Sequence, residues 1–254
     1  MFADTKHERM QSEGPPKVVA FDLDETLGSF SELSSLVDSI RMVYGTDVPD
    51  EHVFHVMDVF PDFLRPGIVE TLTGLTRARA RGQCQGIIMY TNNQGPREWA
   101  ELISRYLDGR VGTKVFDRII AAYETNGRRV EPGRTSHDKN YEDLLRCTGL
   151  PHGTMVCFVD DRYHTLSAHP HTTYIPVEPY VHQPDARTAA LRYSQEAVDP
   201  NAPVAARMAL TQALLARMPR RWKRGFGGGG RTQGRAQTIM LQTALGQFLT
   251  PSVR

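Results

Sequence analysis

Asp22, Asp24 and Thr26 alternate directly after Val18-Val19-Ala20-Phe21, an apolar run of the kind shown by a strand buried on both faces. In an open α/β sheet, ligands gather at the carboxyl ends of the parallel strands, so such a strand would hold two carboxylates rigidly at the mouth of a site. Two like charges that close repel, and a hard cation such as Mg²⁺ relieves the repulsion by taking oxygen ligands from carboxylates, waters and a substrate phosphate. That chemistry suits phosphoryl transfer. Two further apolar runs end the same way: Ile87-Ile88-Met89-Tyr90 runs into Thr91-Asn92-Asn93, and Met155 to Val159 into Asp160-Asp161-Arg162.

The elements that must carry these residues are legible from periodicity. Leu33, Leu36, Val37, Ile40 and Tyr44 recur at helical spacing before Gly45, and a shorter periodic piece runs from Val53 to Phe60. The stretch 29–64 is too long for a tight connection and is expected to form a small helical insertion, a cap over the strand ends that helps choose the substrate. Arg65-Pro66-Gly67 opens a helix with Ile68, Val69, Leu72 and Leu75 inward, and Trp99, Leu102, Ile103 and Tyr106 mark another. Val115 to Tyr123 reads as a third strand, Asn126-Gly127 as a turn, Tyr141, Leu144 and Leu145 as a short helix, and Thr172 to Val177 as a fifth strand. Strands alternating with helices, each strand ending in polar residues, predict an α/β fold: a doubly wound parallel sheet with helices on both faces.

The chain has 254 residues, 40% hydrophobic and 23% charged, which is ordinary for a globular protein. Its three cysteines show no C-x-x-C spacing, so neither a disulfide framework nor a zinc module is indicated, and a reducing compartment is expected. His169-Pro170-His171 likewise lacks the companions of a zinc site. No stretch has the length and apolarity of a membrane span, and the polar N-terminus is unlike a signal peptide; the reading is a soluble, cytoplasmic or nuclear protein with no membrane partner. Residues 1–16 are expected to be a disordered leader, 17–200 the catalytic domain, and 201–254 a basic, Gly-rich extension with a terminal helix. From Asn201 onward there are nine Lys or Arg and no Asp or Glu, so the net charge of +1 hides a tail of +9 on a body of −8. The two parts should have different partners or touch each other. In the tail, Val204, Met208, Leu215 and Met218 form one stripe, basic and aromatic residues interleave over 217–235 as in nucleic-acid-binding segments, and Leu241, Ala244, Leu245, Phe248 and Leu249 make a last apolar face.

In chain order, Phe21-Asp22-Leu23-Asp24-Glu25-Thr26, Tyr90-Thr91-Asn92, Lys139 and Val159-Asp160-Asp161 resemble the four motifs of the haloacid dehalogenase superfamily of phosphatases and phosphotransferases. Arg65-Pro66-Gly67 further resembles the branch that acts on the phosphorylated tail of RNA polymerase II. The likeness covers about residues 17–180. It implies a Mg²⁺-dependent phosphatase with Asp22 as nucleophile, Asp24 as general acid and base with its backbone carbonyl on the metal, and Thr91 and Lys139 holding the phosphoryl group. Asp22, Asp24, Asp160 and Asp161 are the expected metal residues, with either acid of the last pair binding directly. Thr26, Asn92 and Arg162 are assigned to substrate contact, and Lys114 is the alternative to Lys139. The expected substrate is a phosphoserine or phosphothreonine protein. A small phosphomonoester or nucleotide is the alternative, and a catalytically silent nucleic-acid-binding or scaffolding protein is the alternative of another class.

Overall fold

The computed structural model describes residues 14–199, 201–224 and 230–250. Most of the expected leader, and the glycines of 225–229, lie outside the described residues. In chain order the elements are β1 (Lys17–Phe21), α1 (Phe30–Tyr44), α2 (Asp50–Val59), α3 (Ile68–Ala80), β2 (Gly86–Tyr90), α4 (Arg97–Val111), β3 (Arg118–Ile120), β4 (Glu124–Thr125), β5 (Arg128–Arg129), α5 (Tyr141–Thr148), β6 (Met155–Asp160), β7 (Thr172–Pro176), α6 (Ala186–Glu196), α7 (Val204–Arg217) and α8 (Gly230–Leu249).

Five strands form one parallel sheet in the order β3-β2-β1-β6-β7. The chain runs outward from β1 through β2 to β3, then crosses to the other side of β1 for β6 and β7. The order therefore reverses between β1 and β6, which is where open α/β sheets form a crevice at their carboxyl edge. Alternate side chains of each strand face opposite ways. Val19, Phe21, Ile87, Met89, Cys157 and Val159 join the main core, under α1, α2, α3, α4, α6 and α7. Val18, Ala20, Ile88, Tyr90, Val156 and Phe158 join a smaller core closed by Tyr141, Leu144 and Leu145 of α5. Helices cover both faces, as expected, but unequally.

Three expectations change. The third strand is shorter than 115–123: Val115 and Phe116 turn into the core, and the Asp117 carboxylate accepts from Ile87 N at 2.8 Å, a place a strand backbone would otherwise serve. The 29–64 segment leaves and returns at one point, with Ser29 N donating to Phe63 O at 2.7 Å and Arg65 N to Leu27 O at 3.0 Å. Its helices bury Leu33, Leu36, Ile40, Val53 and Val56 in the main core, so they form part of the body and not a detached cap. The stripe on α7 holds only in its second half. Val204 and Met208 are exposed, whereas Thr211 and Leu214 are buried, with the Thr211 hydroxyl 2.7 Å from Ser194 Oγ; a paired polar residue faces inward where periodicity sought an apolar one.

The basic extension is likewise built into the body. α7 packs on α6 and α1, and Trp222 is fully buried beside Phe63, its indole N–H donating to Glu32. Arg221 reaches both oxygens of Glu32 at 3.2 Å, one direct contact between the basic and acidic parts. α8 lays Leu241 and Leu245 against the main core beside α3, and Lys17 Nζ donates to Phe248 O at 2.7 Å at the end of that helix. Among the described residues no helix is long and apolar enough to cross a membrane.

Candidate active site

The β1–β6 ladder continues one residue past β1, with Asp22 N donating to Val159 O at 2.9 Å, so Asp22 lies beside the end of β6 that carries Asp160. After it the chain makes a tight loop anchored by the fully buried side chains of Leu23 and Leu27. Glu25 sits at φ 62, a left-handed conformation that costs a non-glycine residue on the order of 1–3 kcal/mol. The loop is overdetermined from outside. Arg65, itself buried, donates to Thr26 O at 2.6 Å, Glu25 O at 2.7 Å and Glu178 O at 2.8 Å, while Tyr180 N donates to Glu25 O at 2.8 Å.

Lys139 enters just ahead of α5, whose N-cap Asn140 accepts from Asp143 N at 2.8 Å. Its ammonium group is almost wholly buried, over the rings of Tyr90 and Phe158, and donates to Asp22 Oδ1 and, at 2.7 Å, to Asp160 Oδ2. Lys114 is exposed and precedes β3, at the opposite edge of the sheet. Of the two lysines, Lys139 is the one that meets the acids.

Asp22, Asp160 and Asp161 each offer one carboxylate oxygen, all within 4.8 Å of one another. Oxygen-only donors of this kind suit a hard divalent cation such as Mg²⁺, Ca²⁺ or Mn²⁺. The Asp24 carboxylate is outside this group: its Oδ2 accepts from Asn93 Nδ2 at 2.6 Å, and its buried Oδ1 has no hydrogen-bond partner among the described residues. Burial pushes the Asp24 carboxyl up to about 6, with the Asn93 bond pulling the other way. Burial also raises Asp160, against the pull of Lys139, and raises Asp161, helped by the charge of Asp22.

The residues expected to touch substrate divide differently. Thr26 is buried, and its hydroxyl donates to Asp161 Oδ1 at 3.1 Å and accepts from Asp161 N at 3.2 Å, so it fixes the acid's orientation. Asn92 Oδ1 accepts from Arg134 Nη1 at 2.7 Å. Arg162 alone of the three stands in solvent, its Nε 4.0 Å from Asp161 Oδ2. Thr91 directly follows β2, the neighbour of β1; its hydroxyl accepts from Asn93 N at 3.0 Å and keeps its proton to give. A small cleft lined by Thr91, Asn93, Pro96, Ala121, Ala122 and Val130 opens beside it.

Sequence reasoning missed three contributors. Asn93 adjoins an assigned residue, and only the loop geometry decides which of the two amides meets Asp24. Arg134 carries no sequence signal at all. His164 reads as a solvated or hydrogen-bonded loop histidine, and only the structure names its partners: its Nδ1 is 2.9 Å from Asp138 Oδ1 and its Nε2 3.7 Å from Asp160 Oδ2, joining the Lys139 loop to the loop after β6. His169 instead stacks on Tyr141 with ring centroids 3.8 Å apart and accepts from His171 N. Comparison with protein-family models and with curated proteins finds no match to this chain.

Proposed function

We propose that this protein is a Mg²⁺-dependent phosphatase of the haloacid dehalogenase type, hydrolysing a phosphomonoester through a phosphoaspartate on Asp22. The observation that carries the reading is the buried Lys139 ammonium bridging Asp22 and Asp160, with Asp161 completing a three-carboxylate group at the reversal of strand order. Asp22, Asp160 and Asp161 would hold the cation, joined by the Asp24 backbone carbonyl. Bound there, it supplies positive charge that screens the carboxylates from an incoming phosphate.

The chain's own residues then divide the work. Lys139 fixes Asp22 Oδ1, leaving the other oxygen to attack phosphorus. As that bond forms, the bond from phosphorus to the leaving oxygen breaks, and Asp24 gives this oxygen its proton; a carboxyl raised to about 6 is protonated for a useful fraction of the time near neutrality. Water next attacks phosphorus, passes a proton back to Asp24, and frees Asp22 and inorganic phosphate. Thr91 donates to a phosphoryl oxygen, Lys139 offsets its charge, and exposed Arg162 meets the substrate at the mouth. The preferred substrate is a phosphoserine or phosphothreonine protein, proposed on the likeness of Arg65-Pro66-Gly67 to the polymerase-tail branch. Arg65 itself braces the Glu25 loop and does not reach solvent.

Hydrolysis of an aryl phosphate, with and without Mg²⁺, tests the reading. Turnover is expected to require Mg²⁺ and to fall to background in Asp22→Asn, which keeps the shape but not the nucleophile. Retained activity in that variant removes Asp22 from the role.

A further inference from the structure

Arg134 is completely buried, and the phosphatase mechanism does not use it. Its guanidinium is held by oxygens from three separate loops. Nη1 donates to Thr91 O at 3.1 Å, Asn92 Oδ1 at 2.7 Å and Ala121 O at 3.0 Å, and Nη2 to His137 O at 2.9 Å and Asp138 O at 3.2 Å. All five acceptors are neutral amide oxygens. Among the described residues no carboxylate forms an ion pair with it, and Nε has no hydrogen-bond partner. The nearest aromatic face is Tyr90, 4.9 Å from the guanidinium carbon. An arginine cannot shed its proton to relieve burial, and a buried charge with no counter-ion carries a desolvation cost that carbonyl dipoles offset only in part. The nearby buried ion pairs contrast with it: Glu131 is met by both Arg97 and Arg118 at 3.2 Å, and Lys139 by Asp22 and Asp160.

The place of that charge gives it a use. One end of the fork holds the backbone of Thr91, and the other holds the two residues immediately before Lys139. We propose that Arg134 is the positioning residue for the phosphoryl group: it locks the Thr91 and Lys139 loops at one separation, and its uncompensated positive charge favours a dianion between them. This rests on the phosphatase reading and adds a determinant behind the residues that touch substrate.

The two contributions separate by substitution. Arg134→Gln removes the charge, Arg134→Lys keeps the charge and loses the fork, and Asn92→Asp keeps the fork while placing a carboxylate against Nη1. Calorimetric binding of inorganic phosphate in saturating Mg²⁺ is compared with binding of Mg²⁺ alone and with steady-state hydrolysis of an aryl phosphate. Arg134→Gln and Asn92→Asp are expected to weaken phosphate binding about tenfold or more, with Mg²⁺ affinity unchanged or improved because a positive charge is removed or offset. Arg134→Lys is expected to recover most of the phosphate affinity while kcat stays depressed. Arg134→Gln that folds and binds phosphate like the parent overturns the proposal. Should Arg134→Gln fail to fold, Asn92→Asp decides alone, and unchanged phosphate affinity there overturns the role of charge. A parent protein that hydrolyses the aryl phosphate while the variants behave identically defeats this inference only. A parent that neither binds phosphate nor turns over defeats the phosphatase reading and this inference with it.

Discussion

The carboxyl of Asp24 is raised to about 6 because burial disfavours its charge, and Asn93 offsets only part of that cost through its 2.6 Å hydrogen bond. A folded-state value above the unfolded one means that the folded protein holds the proton more tightly. The group therefore favours folding at low pH, and that benefit is lost as pH rises from about 4 through 6. Asp24→Asn removes the buried charge, so at about pH 8 the metal-free variant is expected to be more stable than the parent, by up to about 3 kcal/mol, with little difference near pH 4. Urea unfolding at the two pH values checks this; equal stabilities at both remove the strained carboxylate. The same sign governs two of the acids proposed to hold the metal. Asp160 and Asp161 are both raised by burial, and a protonated acid is a poor ligand. Affinity for Mg²⁺ is thus expected to climb as pH rises through the raised value of Asp160, about 6, measured by calorimetry between about pH 5 and 7.5. At this scale the residue types were readable in the sequence, but their pairings were not: Asn92 and Asn93 are alike in composition, and only the turn after β2 directs one to Arg134 and the other to Asp24.

The loop bearing Asp22 and Asp24 is held where the 29–64 segment begins and ends. A Cβ on Gly28 would lie 2.5 Å from Phe63 O and 2.8 Å from Phe30 Cζ, so the two chain passages meet with no space for a side chain. Gly28→Ala is expected to cost about 1–3 kcal/mol in thermal or denaturant unfolding through overpacking. It should also lower activity, since Glu25 N bonds Gly28 O at 2.7 Å across the same loop. A variant as stable as the parent refutes this tight crossing. Strands β1, β2 and β6 were legible within a residue or so, because a run buried on both faces has few polar positions to confuse it; β7, the half-exposed edge strand, was legible to the same margin. β3 was overextended, since the apolar residues Val115 and Phe116 serve the core just as well outside the ladder.

The whole molecule joins its acidic body to its basic extension through packing as well as charge. Trp222 is fully buried against Phe63, so its ring is not free to stack on a nucleic-acid base as the composition of 217–235 suggested. Trp222→Ala is expected to destabilise the entire fold by about 3–5 kcal/mol, whereas exposed Met208→Ala should change it by less than about 0.5 kcal/mol. Equal effects of the two substitutions on denaturant midpoint rule out an integrated extension. The boundary drawn at residue 200 followed a shift in charge, and charge reports on surface; it says nothing of which apolar face finds a partner. Local sequence was sufficient for the parallel α/β sheet and for the polar residues at its strand ends, because strand burial and side-chain alternation leave periodic marks along the chain. Tertiary structure alone decided that Asp22, Lys139 and Asp160 meet, that Arg134 lies beneath Thr91 and Asn92, and that the extension closes the core. These contacts join residues far apart along the chain, and the free energy that selects them comes from the burial of the assembled body, which no single stretch of sequence contains.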